Sequence, residues 1–328
     1  MDLTNAAAYH GPGWRPRSGS LEQEVVAGDL WAPMSVACDH DRLTDVALHC
    51  PSADRLTCAD PDQLQHLRHI DHDALRRDID TLAAAYRDLG VAVHELPQTS
   101  ATEAHPYRGA NAMYARDLLW MTKAGAVIPR MASTVRAGEE LQTLRLCAEL
   151  AIPVARTIGG EARFEGADAH WLRPDLVAVG IGTRTDKAGA DQIAATAAAQ
   201  GARTITITVP RGIQHLLGIL QVIDADLLAA RTDLLDPADV RRLREEGFTV
   251  IDVPESDEVT SGYAFNFVVL APATLLMTSG SADTARLLAA HGVTCAAQVE
   301  VPELFHGAGG IACATGILRR IPQHSGKD

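Results

Sequence analysis

The chain has 328 residues, 47% of them apolar, and a formal net charge of −13. That length and apolar fraction suffice for a large packed core, in one α/β domain or in two. The acidic balance argues against nucleic acid and anionic membrane as partners, because both reward clustered Lys and Arg, and no stretch approaches the roughly 20 apolar residues that span a bilayer.

Residues 1–20 are rich in Gly, Pro, Arg and polar side chains. Without an apolar centre they do not read as a secretory signal. Residues 1–30 are expected to form a flexible leader, ahead of a single catalytic domain over residues 31–328, and the cytoplasm is the default location. The cysteines are Cys38, Cys50, Cys58, Cys147, Cys295 and Cys313, with no C-x-x-C pair among them. Neither a zinc site nor a redox motif is indicated. In a reducing compartment they are expected to be free thiols, most of them filling cores.

In chain order, the first predicted strand is Val46-Ala47-Leu48-His49, which runs into Cys50-Pro51. Residues 73–89 follow as an amphipathic helix with Leu75, Ile79, Leu82, Ala83 and Tyr86 on one stripe, closed by Gly90. Ala126-Val127-Ile128 reads as a strand stopped by Pro129, and residues 142–150 as a helix. The same alternation continues with a strand at 176–179, a helix at 190–200, a strand at 204–209 and a strand at 267–270. The last predicted helix covers residues 283–290 before Gly292, with Ser281 or Asp283 as its cap. About five strand–helix units result, and no linker rich in Gly, Ser or Pro divides them. The expectation is a mixed α/β protein built as one domain of repeated modules.

The C-terminal run Gly307-Ala308-Gly309-Gly310-Ile311-Ala312-Cys313 is the most suggestive segment. Glycines permit unusual backbone angles and close approach, so a thiol held on such a turn can face a cleft. A core cysteine packed after a glycine turn is the plain alternative. A thiol nucleophile needs a base or a thiolate-stabilising neighbour. His215 stands after a strand and opens an apolar stretch, although with 13 histidines in the chain it would by itself be read as a core residue. Glu165 and Asp168 flank a small-residue turn, and Asp117 follows Arg116. Buried carboxylates need partners; a guanidinium ligand would supply planar paired hydrogen bonds, and a structural pairing of Arg116 with Asp168 is the plain alternative.

Taken in order, these pieces resemble the guanidino-group modifying enzymes, the pentein superfamily of arginine deiminases, dimethylarginine dimethylaminohydrolases, arginine dihydrolases and amidinotransferases. Arg116-Asp117 precedes Gly125-Ala126-Val127-Ile128-Pro129-Arg130-Met131, then Arg136-Ala137-Gly138-Glu139, Glu165-Gly166-Ala167-Asp168, Gly180-Ile181-Gly182-Thr183-Arg184-Thr185, His215 and the turn at Cys313. The resemblance spans residues 44 to 320. It implies a five-bladed β/α propeller of ββαβ modules around a central site. It implies that Cys313 attacks the guanidinium carbon to give a thiouronium adduct, that His215 moves protons, and that Glu165 orients the histidine. Asp117 matches the carboxylate that grips the guanidinium, and Asp168 its supporting acid. Arg136 and Arg184 match arginines that bind the substrate α-carboxylate. Leu217 departs from the pattern, since deiminases and amidinotransferases carry an Asp there. That departure favours hydrolysis of an N-substituted arginine, whereas the Arg319-Arg320 ending is similar to amidinotransferases. The implied partner is a small guanidino substrate, with no cofactor and no metal, and a homodimer is left open. Amidinotransfer from arginine to an amine is the alternative activity. A non-catalytic guanidine-binding protein is the second alternative.

Overall fold

A computed structural model describes residues 3–99 and 107–322, and in it the strands form five sheets of three strands each. Helix α1 (Leu21–Ala27) comes first, then β1 (Arg42–Leu48), α2 (His72–Asp88) and β2 (Ala92–Glu95). Four modules of one plan follow. They are β3 (Trp120–Thr122), β4 (Gly125–Ile128), α3 (Glu140–Glu149) and β5 (Val154–Thr157); then β6 (Ala169–Arg173), β7 (Leu176–Ile181), α4 (Lys187–Ala198) and β8 (Arg203–Thr208). Next come β9 (Leu220–Asp224), β10 (Leu227–Ala230), α5 (Pro237–Glu245) and β11 (Thr249–Asp252). After the short helix α6 (Asp257–Thr260) come β12 (Val268–Ala271), β13 (Thr274–Thr278), α7 (Ala282–Ala289) and β14 (Thr294–Val299). Two single-turn helices, α8 (Pro302–Phe305) and α9 (Ile311–Ala314), lead into β15 (Gly316–Ile321).

In each of these modules the first two strands form an antiparallel hairpin, and a helix returns the chain to a third strand parallel to the second. Antiparallel neighbours need only a tight turn, while parallel ones need a crossover. The fifth module is assembled from both ends of the chain: β15 pairs antiparallel with β1, and β1 pairs parallel with β2. Val46 thus faces Ile317 on one side and Val93 on the other. The first strands sit innermost, with β15 packed on β3, β6 on β9 and β9 on β12. The third strands lie at the outer edge, where exposed and half-buried positions alternate, as along β14. This is the five-module propeller expected from the resemblance.

Local chemistry explains the repeat. Each module helix must turn back on itself to reach its third strand, and a left-handed residue does this at the lowest cost when it is glycine. Gly90, Gly201, Gly247 and Gly292 hold φ between 76° and 92° after α2, α4, α5 and α7, and Ala151 takes the same role after α3 at φ 55°. The predicted stripe of α2 is buried as read. Helix α5 was not anticipated, although Asp236 caps it and Pro237 opens it, the usual entry signal. Ser281 does hold the cap position of α7, yet its hydroxyl turns to Thr278 at 3.1 Å. The carboxylate of Glu258 caps α7 instead, accepting the N–H of Asp283 and of Thr284 at 3.0 and 2.9 Å.

Residues 1 and 2 of the leader lie outside the described residues; within it, α1 is opened by a capping box of Ser20 and Gln23 and buries Val25. Arg320 is buried in β15, where it donates to the Asp41 carbonyl at 2.6 Å. No helix among the described residues is long and apolar enough to cross a membrane. All six cysteines are free thiols. Burial pushes the thiols of Cys50 and Cys147 up to about 11 and about 12, and that of Cys38 beyond that range.

Candidate active site

The side chains expected to do chemistry come from different modules and meet at the axis because each stands just before its module's first strand. Asp117 precedes β3, Glu165 and Asp168 precede β6, His215 precedes β9 and Cys313 precedes β15. Module four contributes as well. Asn266, two residues before β12, was not singled out from the sequence; its only signal was that position in the repeat.

Cys313 sits in α9, and Asn266 holds it from two directions. The Asn266 side-chain amide donates to the Cys313 Sγ at 3.1 Å. Its Oδ1 accepts the N–H of Ala312 and of Cys313 at 2.8 and 3.2 Å. The glycines ahead of the cysteine serve close approach rather than unusual angles. A Cβ on Gly309 would lie 2.4 Å from the Tyr114 ring, and one on Gly310 would lie 2.7 Å from Asn266 Oδ1. The left-handed residue of the turn is Ala308, at φ 72°.

His215 is nearly buried, and its Nε2 donates to Glu165 Oε2 at 2.7 Å. Its Nδ1 faces Asp117 Oδ1 at 3.7 Å. Burial alone would lower the imidazole pKa. The charge of Asp117, the hydrogen bond to Glu165 and the charge of Asp168 overcome this and raise it to about 9. Glu165 is correspondingly held down to about 2: burial opposes ionisation, but the His215 hydrogen bond and charge prevail, helped by Arg136 and Arg184. The pair is therefore an imidazolium–carboxylate ion pair at neutral pH. Asp168 supports it from behind, accepting from Thr185 Oγ1 at 2.6 Å and from the Leu216 N–H at 2.8 Å. Burial pushes Asp168 up to about 6. Arg116, considered as its partner, turns instead to Asp39 at 3.3 Å.

The Cys313 thiol is partly accessible from a cavity of about 440 Å³ that Asp117, His215, Leu217 and Asn266 also line. Burial, then the Asp117 charge, push this thiol up to about 11 against the opposing pull of the Gly310 backbone and of Asn266. Two non-glycine residues in left-handed conformation, Tyr263 at φ 55° and Ala308, line the same cavity. Such strain is characteristic of functional sites. Asp117 Oδ1 is buried with no hydrogen-bond partner, an acceptor that a ligand donor would satisfy.

The two arginines expected to bind a carboxylate do not line this cavity, but both stand beside Glu165. Arg136 is 3% exposed and outside the cavity wall. It pairs with Asp117 at 2.5 Å and with Glu139 at 2.8 Å, and stands 3.7 Å from Glu165. A guanidinium neutralised in this way braces Asp117. Arg184 also stands outside the wall, 3.5 Å from Glu165 and 3.3 Å from Gln214 Oε1. Glu139 is pushed up to about 7 by burial, an effect that Arg136 opposes. Atoms of Asp117, Glu165 and His215 lie within 4.8 Å of one another, as metal ligands would. Arg136 already places a cation against the two carboxylates of that set.

Residues 108–244 match the family model of arginine deiminase. The fold is similar to that of the dimethylarginine dimethylaminohydrolase of Pseudomonas aeruginosa in complex with citrulline, with a TM-score of 0.65 and 19% identity over 85% of this chain and 100% of that one. It is similar to SxtG, an amidinotransferase from Microseira wollei in the saxitoxin biosynthetic pathway, with a TM-score of 0.70 and 12% identity over 89% of this chain and 98% of that one. It is also similar to the product-bound N-terminal domain of ArgZ, an arginine dihydrolase of the cyanobacterial ornithine-ammonia cycle, with a TM-score of 0.69 and 17% identity over 86% of this chain and 100% of that one. No curated protein matches the chain.

Proposed function

We propose that this chain, whose fold is that of the guanidino-group modifying (pentein) superfamily, is a cysteine-dependent hydrolase of the guanidinium group of arginine or an N-substituted arginine. The observation that carries the reading is that Cys313, His215 and Asp117 line one cavity, with Glu165 locked to His215 behind it. The similar folds named above, a dimethylarginine dimethylaminohydrolase, an arginine dihydrolase and an amidinotransferase, agree with it.

The chemistry follows from the charges. The free thiol is held protonated by burial and by the Asp117 anion. A substrate guanidinium donating to Asp117 Oδ1 brings a positive charge beside Sγ, so that the thiol gives up its proton to solvent as the substrate binds and attacks as the thiolate. The sulfur then forms a bond to the guanidinium carbon. The C–N bond breaks, and the leaving amine takes the proton of the His215 imidazolium. The neutral imidazole next accepts a proton from a water that attacks the thiouronium carbon. Breaking the C–S bond frees the thiolate and a urea-type product. Glu165 holds the imidazole in place through both steps. No step calls for a metal, because Arg136 supplies the cation behind Asp117 and the substrate supplies the one in front.

Amidinotransfer is the second reading, favoured by the volume of the cavity, which has room for an acceptor amine in place of the water. A panel of arginine, methylated arginines and agmatine, read out for ammonia, methylamines, citrulline, ornithine and transfer to added amines, separates the two. Product from water alone supports hydrolysis, and turnover that depends on an added amine supports transfer. Guanidine binding without any turnover would leave only the non-catalytic reading. Loss of activity in chelator, restored by metal, would contradict the thiol mechanism.

A further inference from the structure

We propose that Arg116 and Arg320 form a binding site for one small monovalent anion of halide size, in the chamber behind the catalytic cavity. The site is independent of the reaction proposed above.

The chamber has a volume of about 20 Å³ and is lined by Arg116, Arg320, Asp39 and apolar side chains that include Phe267 and Ile317. A water-sized occupant needs about 10–15 Å³, so the chamber takes one small ion and excludes an organic carboxylate or a phosphate ester. It stands back to back with the catalytic cavity. Leu217 lines both, and Ala312 lines the chamber where the next residue, Cys313, lines the cavity.

The charges of the chamber wall do not balance. Asp39 is already paired, with His170 Nδ1 at 2.9 Å and Arg116 Nη2 at 3.3 Å from its Oδ2. Arg320 is 5% exposed and has no such partner. Its Nη1 donates to the backbone carbonyl of Asp41 at 2.6 Å, its Nε is buried with nothing to receive its proton, and it makes no ion pair among the described residues. The Asp41 carboxylate lies outside the chamber wall. Arg136, also buried, is by contrast held in three ion pairs. A buried charge left unpaired is costly, and Arg116, a second cation of the same wall, adds like-charge repulsion. Burial pulls the Arg320 guanidinium down to about 10; Asp39 opposes the fall and Arg116 deepens it. An anion in the chamber supplies the missing charge, and the free Nε–H donates to it. A dry, partly apolar chamber favours weakly hydrated ions, so bromide and chloride should bind ahead of fluoride. The bound ion also places a negative charge beneath Cys313, and a like charge disfavours the thiolate.

The test compares wild type with Arg320→Gln in sodium methanesulfonate, whose anion is too large for the chamber, and in sodium bromide or fluoride at the same ionic strength. Bromide should give wild type a saturable rise in Tm of roughly 1–3 °C, smaller with fluoride and absent in Arg320→Gln. Wild-type crystals soaked in bromide should show an anomalous peak in the chamber, beside the two guanidinium groups. Alkylation of Cys313 should be slower in bromide than in methanesulfonate, in wild type alone. An equal bromide response in the two proteins, or soaked crystals without a peak in the chamber, overturns the proposal. The diffraction arm needs wild type only, so it decides the matter even if Arg320→Gln does not fold. Alkylation of wild type at one rate in both salts overturns the link to Cys313.

Discussion

Asn266 donates its side-chain amide to the sulfur of Cys313 at 3.1 Å, and its carbonyl oxygen accepts the backbone N–H of the same cysteine at 3.2 Å. The donor opposes the rise that burial and Asp117 impose on the thiol. A hydrogen bond to a charged group contributes about 1.5–3 kcal/mol. Asn266→Ala is therefore expected to lower the thiolate fraction by roughly one to two powers of ten. The measurement is the alkylation rate of Cys313 at fixed pH. Asn266→Asp separates positioning from donation, because it keeps the acceptor oxygen and loses the donor. It should be the slower of the two variants. Alkylation of Asn266→Asp at the wild-type rate would reduce Asn266 to a structural brace for α9.

The His215–Glu165 pair makes stability depend on pH in a fixed direction. The folded imidazole titrates at about 9, above its ordinary value of 6.5. Its stabilisation is thus complete below about 6.5 and lost as pH rises through about 9. Glu165 is held at about 2, below its ordinary 4.5, so its share is present above 4.5 and lost as pH falls toward 2. The fall in Tm between pH 6.5 and 9.5, about three units chosen to bracket the imidazole titration, should be steeper in wild type than in His215→Gln. Equal slopes in the two proteins would remove the ion pair from the account.

Leu217 lines the cavity beside His215 and is 3% exposed. A guanidinium nitrogen directed at it has no acceptor, at a cost of about 1–3 kcal/mol, whereas a methylated nitrogen packs against the leucine. The ratio of kcat/KM for methylated arginine over arginine is expected to fall roughly 5- to 150-fold in Leu217→Asp. Arg116 lines the small cavity behind Leu217, so the introduced carboxylate would have a cation at its back. An unchanged ratio in an active variant, or a wild type that rejects every substituted guanidine, would dismiss Leu217 as the selector.

Ala151 carries φ 55° at the position where four other modules use glycine. Ala151→Gly is expected to raise stability by about 0.5–1 kcal/mol, through release of left-handed strain. Gly201→Ala, with nothing within 4 Å of its added Cβ, should lower it by a similar amount through backbone strain alone. Denaturant midpoints measure both. A loss of stability in Ala151→Gly would show that the strain is compensated locally.

Much of the fold was legible because the signals were local. The stripe of α2, its stop at Gly90 and the β-branched run of β8 depend on neighbouring residues only. The short inner strands were not legible: β3 has three residues, too few to show a period. The pairing of β15 with β1 joins residues from opposite ends of the chain, and no local pattern announces it. At the site, motif order nominated Cys313, His215, Glu165 and Asp117, and the fold brings these side chains together. For Arg136 the motif names the residue and does not say which way it turns. Its burial between Asp117 and Glu139 is a packing outcome. Asn266 stands in ordinary sequence surroundings, and only the modular geometry brings it to the cavity.

The central claim is a covalent amidino adduct on Cys313. Acid quench during steady-state turnover of arginine or methylated arginine, followed by peptide mass spectrometry, tests it most directly. The expected result is an amidino-type mass increase on the peptide that contains Cys313, absent in Cys313→Ala, which should keep its fold and lose turnover. Cys313→Ala retaining more than a small residue of activity, or an adduct on any of the other five cysteines while Cys313 stays unmodified, would contradict the account.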